Sequence, residues 1–356
     1  MDDGMPMWEN TYLDINGLSK GLSYGLVNLF SNASGRNVGV PIIAIKGDTG
    51  PVLGITAALH GNELNGLPIT HKLAEILSNM KLSGTVIMVP VANVPGFESQ
   101  QRKFIDGVDL NRIMPGVSNG TPSEMYAYRL FTRIISTFDC LLDLHTASFG
   151  RVNSHYIRAD LTHPHIRIIS QLLGADIIVN TLSPENSLRN AAMDKEIAAV
   201  TIELGNPATF QDMMVERGID GILNVMSYYK MIDRKIKKPK KAPIICKTSY
   251  WLRTDSGGVL NVYPNLVESI KKDQVIGELF DLHGRVLEQF VSPTDAIVVG
   301  KSVNPVSITG SRILHIGIPG DVEISKDPVE LDIEEIELNP LIDNKYFDQL
   351  SDDSDI

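Results

Sequence analysis

The chain has 356 residues, 43% of them hydrophobic and 21% charged, the balance of a soluble globular protein with room for one large domain and a small one. Its net charge of −11 is concentrated: Asp327 to Ile356 holds eleven acidic residues and one lysine, a balance of −10, so the body is near neutral and nucleic acid is excluded as an expected partner. No run approaches the ~18 apolar residues of a membrane span, the start MDDGMPMWENTYLDI carries no secretory signal, and two cysteines, Cys140 and Cys246, build no disulfide framework, all of which fits a reducing cytoplasm.

Four segments read as short buried strands: 51–59, 84–91, 138–144 and 198–204. Helical patterns lie between and after them. Residues 67–80 place Leu73, Ile76, Leu77 and Met80 on one face, and residues 123–137 begin at a Ser123 cap. Residues 164–173 and 211–230 also read as helices. Strands alternating with helices predict an α/β domain with a mixed, mostly parallel sheet. The stretch RKIKKPKK, 234–241, reads as an exposed linker. Beyond it, short Val/Ile-rich runs broken by Gly, Pro, Asn and Asp predict a small all-β module. The predicted division is therefore 1–240, an α/β domain; 241–326, a β-sandwich or barrel-like domain; and 327–356, a solvated, partly disordered acidic tail.

The chemistry sits at the strand ends. The first strand ends in GITAALHGNELNG, delivering His60 and then Glu63. The second leads into Asn93, the third runs into His145, and the fourth holds Glu203 near its end. Ligands of open α/β sheets bind outside the carboxyl ends of the strands, so these side chains can converge although far apart in sequence. Two imidazoles and a carboxylate suit a hydrolytic Zn²⁺ that keeps one position open. Gly61 lets the backbone turn sharply between the first two. Asp143, two residues before His145, points to the same strand face and can accept a ligand histidine's free N–H. His-x-x-Glu alone is a weak signal; the joint pattern strengthens it. The loop QQRKFIDGVDLNRIMPG, 100–116, adds Arg102, Lys103, Asn111 and Arg112, and an Asn-Arg pair can hold a substrate carboxylate. The remaining histidines read as structural or surface residues.

The motifs HGNE, DGVDLNR, LLDLHT and SLRNAA…AAVTIELGNP, in this order, resemble the succinylglutamate desuccinylase/aspartoacylase family, a branch of the zinc carboxypeptidase superfamily. The similarity spans most of residues 40–320, the β module included. It implies a carboxypeptidase-like sheet with helices on both faces. It implies His60, Glu63 and His145 as ligands of one Zn²⁺ per subunit, and Glu203 as general base and proton shuttle. Asn111 and Arg112 would bind a substrate carboxylate, and Arg189 would line the pocket. A basic residue upstream of DLNR would polarise the scissile carbonyl; Arg102 is preferred over Lys103 because lysine lacks the planar fork. The implied activity is zinc-dependent hydrolysis of the amide of an N-acyl amino acid, with a C-terminal metallocarboxypeptidase as the alternative. The implied partner is that small molecule, with no nucleic acid and no membrane, and a homo-oligomer is left open. The β module also resembles a biotinyl or lipoyl carrier, but its turn VSPTDAIVV offers no modifiable lysine.

Overall fold

A computed structural model describes residues 7–182, 184–239 and 241–323. The acidic tail lies outside the described residues. The chain opens with β1 (Met7–Asn10), β2 (Gly21–Ser31) and β3 (Asn37–Lys46). The alternation of β2 buries Val27 and Leu29 and leaves their neighbours half-covered, as expected at a two-faced sheet. Then come β4 (Asp48–Ala57), α1 (Gly66–Ser78) and β5 (Ser83–Val89). Ile69, Leu73 and Leu77 recur at helical spacing on α1 and are fully buried. A short α2 (Val94–Glu98) and a single 3-10 turn, Leu110–Arg112, precede α3 (Pro122–Arg133). The cap of α3 is Thr121, not Ser123. Pro122 stands where an N–H is dispensable, and Thr121 and Glu124 close a reciprocal capping box.

The site-bearing strands come next: β6 (Cys140–His145), β7 (Arg151–Asn153) and β8 (His155–Ala159). After α4 (Pro164–Leu172) come β9 (Ile177–Asn180), α5 (Leu188–Met193), β10 (Ala198–Leu204) and α6 (Asp212–Tyr228). The C-terminal part contains β11 (Ile244–Arg253), β12 (Gly258–Val262), β13 (Ser269–Ile270), β14 (Val275–Phe280), β15 (Val286–Val291), β16 (Ala296–Ser302), β17 (Val306–Ser307) and β18 (Arg312–Pro319).

These strands make a mixed α/β fold around one large sheet of fourteen strands, ordered β1-β2-β3-β5-β4-β6-β10-β8-β9-β11-β18-β16-β13, with β7 attached to β16. Its centre, β5-β4-β6-β10, is parallel. All four strands that the sequence marks therefore lie side by side, with their carboxyl ends at one rim. Successive side chains divide between two cores. Ile43, Val86 and Leu142 pack with α1, α4 and α6, while Ile42, Ile87 and Leu141 pack with α3 and α5.

The expected boundary near residue 240 falls between α6 and β11. β11 nevertheless pairs with β9 and continues the large sheet into β18 and β16. Only β15-β14-β12-β17 forms a separate, antiparallel sheet. Strands β11, β18 and β16 are thus fused to the large sheet.

Candidate metal centre and active site

β4 ends at Ala57, and Ala58 takes a left-handed turn (φ 48°) that lifts the chain over the rim. A second tight turn follows through Gly61 and Asn62. Gly61 also serves close approach: a Cβ on it would lie 2.0 Å from the backbone carbon of Gly96. The segment that crowds it is fixed by Ala92 and Asn93, whose N–H groups donate to Ala57 and Ala58 at 2.9 and 3.1 Å. Asn93 also caps α2, accepting from the Gly96 N–H at 2.9 Å. Glu63 N–H then donates to the His60 carbonyl at 3.0 Å, closing the tight loop.

That loop and the end of β6 bring three side chains together. One ligand atom each from His60, Glu63 and His145 lies within 4.8 Å of the others, and all three residues are buried. His60 Nδ1 is 2.9 Å from Glu63 Oε1, His145 Nδ1 is 2.9 Å from Glu63 Oε2, and the two Nδ1 atoms are 3.1 Å apart. The far nitrogens are fixed as well. His145 Nε2 meets Asp143 at 2.7 Å, and His60 Nε2 meets Asp109 at 3.2 Å. Where each of these carboxylates accepts a hydrogen bond from its ring's Nε2–H, both Nδ1 lone pairs turn toward Glu63. Two lone pairs and a carboxylate converging on one point repel one another unless positive charge stands between them. The field of the neighbouring carboxylates favours positive charge at this point. Burial works against its charged form, yet Asp143 and Glu63 prevail and hold its pKa well above the ordinary histidine value. A divalent cation with a preference for imidazole and carboxylate fits this donor set.

The supporting shell is itself braced. Thr56, in register with Asp143 on the adjacent strand, donates to it at 2.6 Å. Asp109, at the head of DLNR, accepts from Asn111 N–H at 3.0 Å and from Arg102 Nε at 3.1 Å. His60, Arg102 and a backbone amide thus share one carboxylate. Burial raises the pKa of Asp109, but His60 and Arg102 overcome it and hold the carboxyl far below its usual range. The sequence shows Asp109 inside a motif but assigns it no role; its signal is a carboxylate leading a pinned polar turn. Asp109→Asn is expected to weaken binding of a divalent metal ion at this cluster about 10- to 100-fold, measured by competition with a chelator.

The cluster lines a cavity of about 210 Å³. Glu203 stands on its wall, beside His145 in the β10–β6 register. Burial, countered by His145 and reinforced by Glu63, raises its pKa. Asn153 donates to Glu203 Oε2 at 3.0 Å and fixes the carboxylate's orientation. Asn153 is in turn seated on β16, where a Cβ on Gly300 would come 2.5 Å from Asn153 Oδ1. Arg102, Asn111 and Arg112 also line the cavity, whereas Lys103 is exposed and off the wall. Arg102 Nη1 reaches Glu63 at 2.9 Å and Ser148 at 2.6 Å. Asn111 Oδ1 accepts from the Leu188 N–H at 2.8 Å, tying the motif to the start of α5. Arg189 does not join the wall. It is 4% exposed on α5, where burial followed by the charge of Arg158 brings its pKa down to about 9. Arg151, Arg158, Trp251 and Arg312, none singled out by the sequence, complete the wall.

Residues 49–229 match the family model of the succinylglutamate desuccinylase/aspartoacylase catalytic domain. A curated relative, the N-alpha-acetyl-L-2,4-diaminobutyric acid deacetylase of Halomonas elongata, is 28% identical over 262 residues, covering 68% of this chain and 74% of the relative. The crystal structure of a succinylglutamate desuccinylase/aspartoacylase from Rhodobacter sphaeroides has a TM-score of 0.78 at 22% identity, over 86% of this chain and 99% of that one. The product-bound ectoine utilization protein EutE (DoeB) of Ruegeria pomeroyi has a TM-score of 0.79 at 20% identity, over 85% and 97%. At these identities the structural likeness speaks for the fold.

Proposed function

The chain belongs to the succinylglutamate desuccinylase/aspartoacylase family, and from that premise we propose that it is a zinc-dependent deacylase, hydrolysing the amide bond of an N-acyl amino acid. The observation that carries this reading is the meeting of His60 Nδ1, His145 Nδ1 and Glu63 on one wall of a cavity that also holds Glu203. His60, Glu63 and His145 would hold the ion. When bound, zinc supplies Lewis acidity to the cavity, polarising an amide carbonyl and acidifying a water.

The chain's own groups do the rest. Glu203, oriented by Asn153, takes a proton from the attacking water and returns it to the leaving amine. Its raised pKa makes the carboxylate a stronger base than an ordinary glutamate. Arg102, anchored by Asp109, offers its guanidinium to the developing oxyanion. Asn111 and Arg112 hold the substrate carboxylate, so that the amide is positioned rather than merely captured. Asp143 and Asp109 keep the two imidazoles in the tautomer that presents Nδ1.

The small cavity favours a small amide over a peptide. Trp251 and Arg312, from β11 and β18, are part of its lining. Both cysteines are free and buried, which suits a cytoplasmic enzyme. Among the described residues no helix is long and apolar enough to cross a membrane. The test is a panel of N-acyl amino acids and short peptides given to the zinc-supplemented protein. Free amino acid should appear from the first set, and the peptides should stay intact. Release of C-terminal residues from peptides, with the N-acyl amino acids untouched, would move the assignment to a carboxypeptidase.

A further inference from the structure

The basic stretch between α6 and β11 is pinned to the body. After α6 the chain turns back along that helix, and two helix side chains clasp its backbone. Asn224 accepts from the Lys237 N–H at 2.8 Å and donates to the Lys237 carbonyl at 2.9 Å, and Ser227 donates to the Arg234 carbonyl at 2.8 Å. From Arg234 to Lys247 the sequence holds seven basic residues and no acidic one. Asp220 of α6 serves both Arg234 and Lys237, at 3.2 and 2.5 Å. Lys235, Lys241 and Lys247 are exposed. They have no carboxylate within ion-pair distance among the described residues. The result is a fixed strip of positive charge on a body that is otherwise near neutral.

The chain that follows β18 leaves the body beside this strip. Gly320 N–H donates to the Ile245 carbonyl at 3.1 Å, and Arg167 of α4 donates to the Val322 carbonyl at 2.7 Å. A Cβ on Gly320 would lie 3.0 Å from Lys247 Cδ, so the lysine stem runs along the exit. Asp327, the first acidic residue of the stretch with a balance of −10, comes four residues after Glu323, at most about 14 Å of chain. We propose that residues 327–356 dock on the strip 234–247 of the same chain, as an acidic cover held by charge. A single exposed ion pair contributes little. Here many act together, and the tether holds the two segments at an effective concentration of about a millimolar. The strip is already ordered by Asn224 and Ser227, so docking does not have to fix its backbone. With the cover in place, outside polyanions compete with the chain's own carboxylates for the strip. None of the strip residues lines the cavity, and the contact is independent of the deacylase reading.

Zero-length carbodiimide coupling of the unmutated full chain, read by peptide mass spectrometry, tests the contact. At ~0.01 M salt, where charges act over ~30 Å, Lys235, Lys241 and Lys247 should link to carboxylates of 327–356. These links should outnumber those of Lys20 and Lys272, which are also exposed, by about fivefold or more. At ~1 M salt, where the range is ~3 Å, the excess should disappear. In a mixture of isotope-labelled and unlabelled protein the links should stay within one isotope. A second readout is the acetylation rate of the same lysines in a full chain whose eleven acidic residues in 327–356 are changed to amides, Asp→Asn and Glu→Gln. Lys235, Lys241 and Lys247 should react about three- to tenfold faster than in the unmutated chain, with Lys20 and Lys272 unchanged. Links spread evenly over exposed lysines, links as frequent at ~1 M salt, or links that join two chains overturn the docking, as does an unchanged acetylation rate in the amide variant.

Discussion

Glu203→Gln is expected to keep zinc bound and to lose about 10²- to 10⁴-fold in kcat, the range of a positioned general base. The substitution keeps the size of the side chain. It also keeps an oxygen to accept the Asn153 amide, now 3.0 Å from Oε2. Only the proton-accepting capacity is lost. Glu203 is not one of the three converging ligand groups, so metal content should stay near that of the parent protein. KM should change little, because the proposed carboxylate anchor, Asn111 and Arg112, lies elsewhere on the cavity wall. Steady-state kinetics with parallel metal analysis reads all three quantities. Near-normal turnover in the variant would mean that the base is another group.

His145→Ala is expected to have the other large effect, and it acts at a different step. It removes one of three donors and also strands Asp143, which now receives His145 Nε2 at 2.7 Å and Thr56 at 2.6 Å. Zinc should no longer be retained through gel filtration, and activity should fall below detection. The fold should survive, because Leu142 and Leu144 and the rest of the β6 core are untouched. The parent protein should show a matching gain on zinc addition, about 2.7 kcal/mol at 100 times the dissociation constant, seen as a higher melting temperature. That gain should vanish in the variant.

The two variants separate holding the ion from using it. The strands that carry His60, His145 and Glu203 are hydrophobic runs buried on both faces, and such runs end abruptly in polar side chains. That contrast makes His60, His145 and Glu203 legible in the sequence as candidate site residues. Parallel pairing in register then puts Glu203 beside His145, a proximity their separation along the chain does not display. Asp109 is less legible, because a carboxylate in a loop is usually solvated; only the fold shows it under His60. Arg151, Asn153, Trp251 and Arg312 are illegible for a different reason. They reach the cavity because β11, β16 and β18 extend the catalytic sheet instead of closing a separate module, and pairing at such distance leaves no local pattern. Arg189 shows the reverse case. A motif match draws attention to it, but it is buried on α5 and is not among the residues that line the cavity. The strands β2 and β3 end at Ser31 and Lys46, which do not line the cavity, so nothing in them signals the site that lies beyond β5.

The central claim is that His60, Glu63 and His145 share one divalent ion. X-ray absorption at the zinc edge, on protein purified without chelator and assayed for metal, tests it most directly. The account predicts one zinc per chain with two imidazole nitrogens and carboxylate oxygen at ~2.0–2.2 Å, and loss of one imidazole shell in any His60→Ala or His145→Ala protein that still holds metal. Substoichiometric metal, or a zinc whose coordination is unchanged by those substitutions, would contradict it.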